Sequence, residues 1–245
     1  MKMIVSLVTG VLAAAFLTLA NNSMAAPAKA PATVDTVSNV PGADLVVTNV
    51  LLKDLMTSNN VVTNTIGTIL VKISPTLWVG KYEVTQKEYT ALGGGNPSAF
   101  PGDNKPVDSV TWNEAMNFCQ KLTDKEREQL PAGFGYAIPT ENQWQALAAN
   151  LPLSDAVMKI NGDRSSTESV GSLAPSSQGL YDLRGNVMEW CLDSADPNSF
   201  RVLRGGSWNT WIEPSTRVEF RNYAPADEKK NEYGFRLVLE SGSSQ

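Results

Sequence analysis

Apolar and polar positions follow three different rhythms along this chain. From Met3 to Ala20 the apolar run is broken only by Ser6, Thr9, Gly10 and Thr18, with Lys2 in front of it. Ser23-Met24-Ala25 then forms a small-x-small site, so residues 1–25 are expected to be an export signal removed before Ala26. The alternative is an uncleaved anchor, because the run approaches the ~20 residues that a membrane-spanning helix needs. No cysteine follows the run, which excludes lipid attachment there. Residues 26 to 42 are Ala, Pro, Thr, Val and Ser with few charges, the composition of a flexible leader. Between 43 and 64 two apolar triplets, Leu45-Val46-Val47 and Val50-Leu51-Leu52, suggest a strand or a short surface helix near Leu55. That part, grouped with the leader as residues 26–64, is a candidate interaction segment.

The second rhythm alternates. Thr68–Ile73 and Leu77–Val79 read as strands with Pro75 at the turn between them. The third is helical. Ala115, Phe118, Cys119 and Leu122 recur at i, i+3, i+4 and i+7, the spacing of one buried helix face. Its start is marked by Thr111-Trp-Asn-Glu114, where Thr and Glu can each bond the other's backbone N–H. The same capping box occurs at Thr85–Glu88 and at Thr140–Gln143, the latter leading into Trp144, Leu147 and Ala148. Gly93-Gly94-Gly95 and Asn96-Pro97 end the first of these helices, and residues 151–177 read as loop. The sum is short strands followed by three marked helix starts.

Composition narrows the chemistry more than the architecture. The chain has 245 residues, 42% hydrophobic and 18% charged, enough for one sizeable domain. Its net charge is −5 and nothing basic is clustered, so nucleic acid is not an expected partner. Histidine is absent. That removes the Ser-His-Asp triad, zinc sites with His ligands and the two-His-one-carboxylate iron centre.

One stretch combines turn, apolar and acidic signals: Gly179–Cys191, GLYDLRGNVMEWC. Asp182 and Glu189 flank a glycine turn whose backbone carbonyls can face the same point. Calcium takes this mixture of oxygens. The plainer alternative is a buried turn with one solvated acid, since calcium wants 6–8 oxygens and the loop supplies about four.

This stretch resembles the signature of the formylglycine-generating enzyme, or sulfatase-modifying-factor, family. The resemblance continues in YEVTQKEY (82–89), PVDSVTWNEAMNFCQKL (106–122), IPTENQWQALA (138–148), RVLRGGSW (201–208) and YGFRL (233–237), in the family's order. It implies a C-type-lectin-like fold, with small antiparallel sheets, two main helices and extensive loops, over residues 65–241 and a tail at 242–245. It also implies a calcium site with side-chain ligands Asp182 and Glu189 and carbonyl ligands Gly185 and Val187. A second calcium site of the family is not carried over, because residues 151–177 lack its acids.

The family's oxidase chemistry implies two copper-binding cysteines after the GGS motif. Here those positions hold Thr210 and either Ser215 or Thr216. Hydroxyls do not replace thiolates at a soft Cu(I) site, so neither copper nor iron is expected. The two cysteines present, Cys119 and Cys191, are read either as a disulfide favoured by an oxidising compartment or as two separate buried thiols. Trp208, Arg217, Arg221 and Arg236 form a candidate groove for a carboxylate or peptide, with Trp211 beside them; the alternative pairs the arginines with Glu189, Glu219 or Asp193. The expected function is an exported, non-catalytic, calcium-stabilised binding or structural module in the periplasm, at the cell surface or secreted. Its partner would be a protein, peptide or glycan, and no membrane span remains after signal removal. An oxidoreductase acting on exported sulfatases, or lectin-like carbohydrate binding, are the alternatives.

Overall fold

A computed structural model describes residues 51–149, 151–195 and 200–242. The export signal, the leader and the Leu45–Val47 triplet lie outside the described residues.

Two sheets carry the fold. The first has the order β1-β2-β3-β9-β4, from Val61–Thr63, Ile69–Ser74, Leu77–Gly80, Val238–Ser241 and Phe134–Ala137. All its pairs are antiparallel, with Trp78 and Tyr136 both opposite Leu239. The second has the order β7-β6-β5-β8, from Asn222–Pro225, Phe200–Arg204, Met188–Ser194 and Tyr233–Gly234. Its β5–β8 pair is parallel, Met188 opposite Tyr233. The chain thus ends by crossing from β8 in one sheet to β9 in the other, over Phe235-Arg236-Leu237. That crossing places Arg236 in the interior.

All three capping boxes form. Thr85, Thr111 and Thr140 each accept from the backbone N–H three residues on, and Glu88, Glu114 and Gln143 reach back. They open α2 (Gln86–Thr90), α3 (Trp112–Glu126) and α4 (Glu141–Ala148). The face of α3 lies as its spacing predicts: Ala115, Phe118, Cys119 and Leu122 are buried. Phe118 stacks on Tyr89 at 5.4 Å and meets Phe235 edge-on, which ties α3 to α2 and to the crossing strand. The α4 face joins a second apolar cluster through Trp144, Leu147 and Ala148.

The domain begins earlier than residue 65. Helix α1 (Leu52–Ser58) buries Leu52 and Met56 in the main core, Lys53 N–H donates to the Gln129 carbonyl at 2.7 Å, and β1 pairs with β2. Leu52, Met56 and Val62 are therefore core, while Val61 on the same edge strand is exposed. Among the described residues no helix is long and apolar enough to cross a membrane.

Candidate functional site

The Gly179–Cys191 stretch is a left-handed turn running into a strand. Asp182, Gly185 and Asn186 have φ of 55, 85 and 58°. This turn is held by backbone bonds to other segments: Tyr181 N–H to Lys81, Gly185 N–H to Gly205 and Asn186 N–H to Val157, at 2.8–2.9 Å. From Met188 onward the chain is β5, which carries Glu189 into the interior.

Glu189 meets Arg236 there. Arg236 Nε donates to both Glu189 oxygens at 3.1 and 3.2 Å, and Nη2 donates to Oε1 at 2.7 Å. The guanidinium also donates to the carbonyls of Gly80 and Tyr181. Trp144 Nε1 donates to Glu189 Oε2 at 3.0 Å. Both charged side chains are essentially free of solvent contact.

Two further carboxylates face this pair. Asp182 accepts from Gly171 N–H at 2.6 Å. Glu83, 1% exposed, accepts from Asn186 Nδ2 at 2.7 Å and from Val187 N–H at 3.0 Å. Three buried carboxylates thus share one guanidinium. Burial pushes the Glu83 carboxyl well above the usual range, and the charges of Asp182 and Glu189 add to this; Arg236 and the Val187 N–H oppose it only in part. Burial raises Asp182 too. Burial alone would lower Arg236, but Glu189, Glu83 and Asp182 outweigh it and keep the guanidinium charged.

A raised folded-state pKa means that the native state holds its proton more tightly than the unfolded chain. Below the ordinary Glu value of about 4.5, Glu83 costs the fold nothing through ionisation. As pH climbs from there towards its raised native value, stability is lost. In chelator, the midpoint of urea unfolding should therefore rise on acidification from neutrality towards pH 5. Glu83→Gln should flatten that slope. An equally steep slope in the variant would place the titration elsewhere.

The carried-over calcium ligands are Asp182 and Glu189 by carboxylate and Gly185 and Val187 by carbonyl. A cation suits the charge balance of the cluster. Asp182 accepts its backbone bond through Oδ2, and Oδ1 takes none among the described residues. The Glu189 oxygens carry Arg236 and Trp144, yet a carboxylate offers about four lone-pair sites. Among the described residues no group of three His, Cys, Asp or Glu is arranged to hold a metal, so an ion here would depend on the loop carbonyls.

The candidate groove does not form as expected. Arg236 is fully buried in the cluster, and Trp208 is buried with Nε1 donating to the Asn231 carbonyl at 3.0 Å. Arg217 and Arg221 lie at the surface, paired with Glu213 and Glu141 rather than with Glu189, Glu219 or Asp193. Trp211 is 65% exposed. The two buried residues and the two surface arginines thus do not line one open cleft.

The disulfide is absent as well. Cys119 and Cys191 are free, buried in different apolar clusters. The link from α3 to β5 is made instead by Trp112, whose Nε1 donates to the Cys191 carbonyl at 2.9 Å. Burial pushes both thiols up, which leaves them unreactive.

The two positions that the family resemblance assigns to copper do come together. A Cβ at Gly206 would meet Thr210 Oγ1 at 3.2 Å and the Ser215 carbonyl at 3.5 Å. Thr210 accepts from Ser207 N–H, and Thr216 donates to the Glu213 carbonyl. Each of these two hydroxyls is engaged by backbone, and neither position offers a thiolate.

Residues 24–241 match the sulfatase-modifying factor enzyme 1-like domain. The chain belongs to this family. Among curated relatives, the chaperone protein LppX of Paenibacillus barcinonensis is 27% identical, over 66% of this chain and 79% of that protein. The inactive C-alpha-formylglycine-generating enzyme 2 of Mus musculus is 31% identical, over 56% of this chain and 50% of that protein. The chain thus spans only half the length of the mouse relative. Among solved structures, Treponema denticola variable protein 1 superposes with a TM-score of 0.60 at 25% identity, covering 74% of this chain and 91% of that one. CarF superposes with a TM-score of 0.57 at 22% identity, over 67% and 86%, a likeness of fold. The C-type-lectin-like α+β architecture expected from the sequence is the one observed.

Sequence reading of the site found Asp182 and Glu189 but missed Glu83, Trp144 and Asn186. Glu83 stood in plain view, a lone acid between Tyr82 and Val84 just ahead of a capping box, where an apolar residue would suit a buried segment.

Proposed function

We propose that this family member is an exported, non-catalytic binding or structural module of the cell envelope, stabilised by calcium at the Asp182–Glu189 cluster. The observation that carries the non-catalytic reading is that the two thiolate positions hold Thr210 and Ser215 or Thr216, with the Thr210 hydroxyl and the Ser215 backbone carbonyl both beside Gly206. Cu(I) selects sulfur ligands, and the only two thiols are buried elsewhere with raised pKa. That one relative is named a chaperone and another an inactive enzyme supports the same reading. The surplus of buried carboxylate over guanidinium supports the cation. The Met3–Ala20 run and the Ser23-Met24-Ala25 site support export.

One preparation tests both halves. Purified mature protein is melted with calcium and with chelator, and its oxygen uptake is recorded with copper and a cysteine-containing sulfatase peptide. Calcium should raise the melting temperature, by an amount that follows mass action with ligand concentration, and Glu189→Gln should abolish the rise. Oxygen uptake should match the blank. Identical melting in calcium and chelator removes the ion; copper-dependent uptake above the blank restores the oxidoreductase.

A further inference from the structure

Two backbone oxygens in the central turn have no donor. The carbonyls of Gly185 and Val187 belong to buried residues, and among the described residues neither accepts a hydrogen bond. Most buried carbonyls in folded proteins are paired, so each of these calls for a partner. Their directions follow from the bonds around them. In a trans peptide the C=O points opposite to the N–H of the next residue. Asn186 N–H donates to the Val157 carbonyl at 2.8 Å, and Met188 N–H donates to the Glu232 carbonyl at 2.7 Å. The Gly185 oxygen therefore faces away from Val157, and the Val187 oxygen away from Glu232.

The peptide between them, Asn186–Val187, decides how the two oxygens stand to each other. Its carbonyl accepts from Trp208 N–H at 2.8 Å, and its N–H donates to Glu83 Oε1 at 3.0 Å. Glu83 Oε2 accepts from the Asn186 side-chain amide at 2.7 Å. Asn186 Oδ1 in turn accepts from Glu168 N–H at 3.0 Å. Among the described residues no other side chain bonds to the main chain of 185–187. Asn186 sits at φ 58°, a conformation that costs an L-residue energy, so the turn needs such a hold. Glu83 supplies it from outside the turn, on the segment between β3 and α2.

We infer that Glu83 is a positioning residue of the proposed calcium site. It grips the turn rather than the ion, and so sets the Gly185 and Val187 carbonyls for the cation. Asp182 and Glu189 bring the charge, and Glu83 brings the order. This rests on the calcium reading above and adds to it a residue outside the Gly179–Cys191 stretch. Replacing a partner that orients metal ligands commonly lowers affinity by roughly 10–100-fold.

The test titrates terbium(III), a luminescent stand-in for calcium, into the mature full chain under tryptophan excitation. Trp144 bonds Glu189 through Nε1 and so lies beside the site as sensitiser. Calcium then displaces terbium, which gives the calcium Kd. Two variants separate reach from charge. Glu83→Gln keeps an oxygen at the same reach and drops the charge. Glu83→Asp keeps the charge but falls one methylene short of Val187 N–H. Glu83→Gln should bind calcium nearly as tightly as the unaltered chain, and Glu83→Asp about tenfold more weakly. Asn186→Gly removes the amide tie at a φ that glycine accepts, and should weaken calcium as well. Urea unfolding in chelator records the stability of each variant apart from the ion. Calcium affinity left intact by both Glu83→Asp and Asn186→Gly overturns the inference, even where stability falls, because Glu83 would then serve the fold alone. Glu83→Gln binding as weakly as Glu83→Asp overturns it too, in favour of charge acting at a distance. An unaltered chain that binds neither ion removes the calcium reading itself, and the role of Glu83 with it.

Discussion

Arg236→Met should destabilise the fold by about 3–5 kcal/mol, the usual cost of removing one partner of a buried ion pair. Methionine fills much of the arginine's volume, so the loss would be electrostatic rather than a cavity effect. Three carboxylates, Glu83, Asp182 and Glu189, would then face one another with no cation among them. The carbonyls of Gly80 and Tyr181 would lose their donors too. The sign of the pH dependence separates this from a packing defect. Arg236 opposes the upward shifts of Glu83 and Asp182, so without the guanidinium both carboxyls hold their protons more tightly in the fold, and the deficit should be largest at neutral pH and shrink on acidification. Urea unfolding of both proteins at several pH values measures it. A deficit that does not vary with pH would mean that Arg236 acts by packing alone.

Gly185→Ala should cost about 3 kcal/mol, in contrast to a smaller effect at Gly179. Both glycines have positive φ, 85 and 80°. That alone charges an L-residue ~1–2 kcal/mol. At Gly179 nothing lies within 4 Å of an added Cβ, so the backbone term is the whole cost. At Gly185 the Cβ would stand 2.4 Å from the Val157 carbonyl oxygen, with the carbon and nitrogen of the same residue at 2.7 and 2.8 Å. Those are backbone atoms, fixed by the Asn186 N–H bond to Val157 and the Gly185–Val157 bridge. They cannot rotate aside, and overpacking adds ~1–3 kcal/mol. Chemical denaturation of the two variants side by side gives the comparison. Equal losses would show that the 157 segment yields, and that the central turn is less tightly clamped than its geometry requires.

If both variants behave so, the central stretch is a structural keystone first and a ligand site second. It joins the two sheets: Glu189 belongs to β5, Arg236 to the crossing between β8 and β9, and Trp144 to α4. A cation bound there would tighten the same junction.

The sequence by itself determined the local structure and the family. Capping boxes at Thr85, Thr111 and Thr140 are self-contained, since both partners of each bond lie within four residues, and all three formed. The α3 face followed from its spacing, because helical period fixes which side chains share a side. The order of motifs fixed the α+β fold, and the want of histidine and of cysteine after Cys191 bounded the chemistry. Tertiary structure decided everything that depends on which distant residues meet. Glu83 and Asn186 stand 103 positions apart, and Arg236 and Glu189 are 47 apart. No local period records such meetings. The groove residues Trp208, Arg217, Arg221 and Arg236 are close in sequence order, but two are buried and two lie at the surface in ion pairs. Cys119 and Cys191 both proved buried, but in two different clusters, so burial alone could not pair them. The same reason applies before residue 65: the Val50-Leu51-Leu52 triplet reads equally as strand or surface helix, and only the fold puts Leu52 in the core.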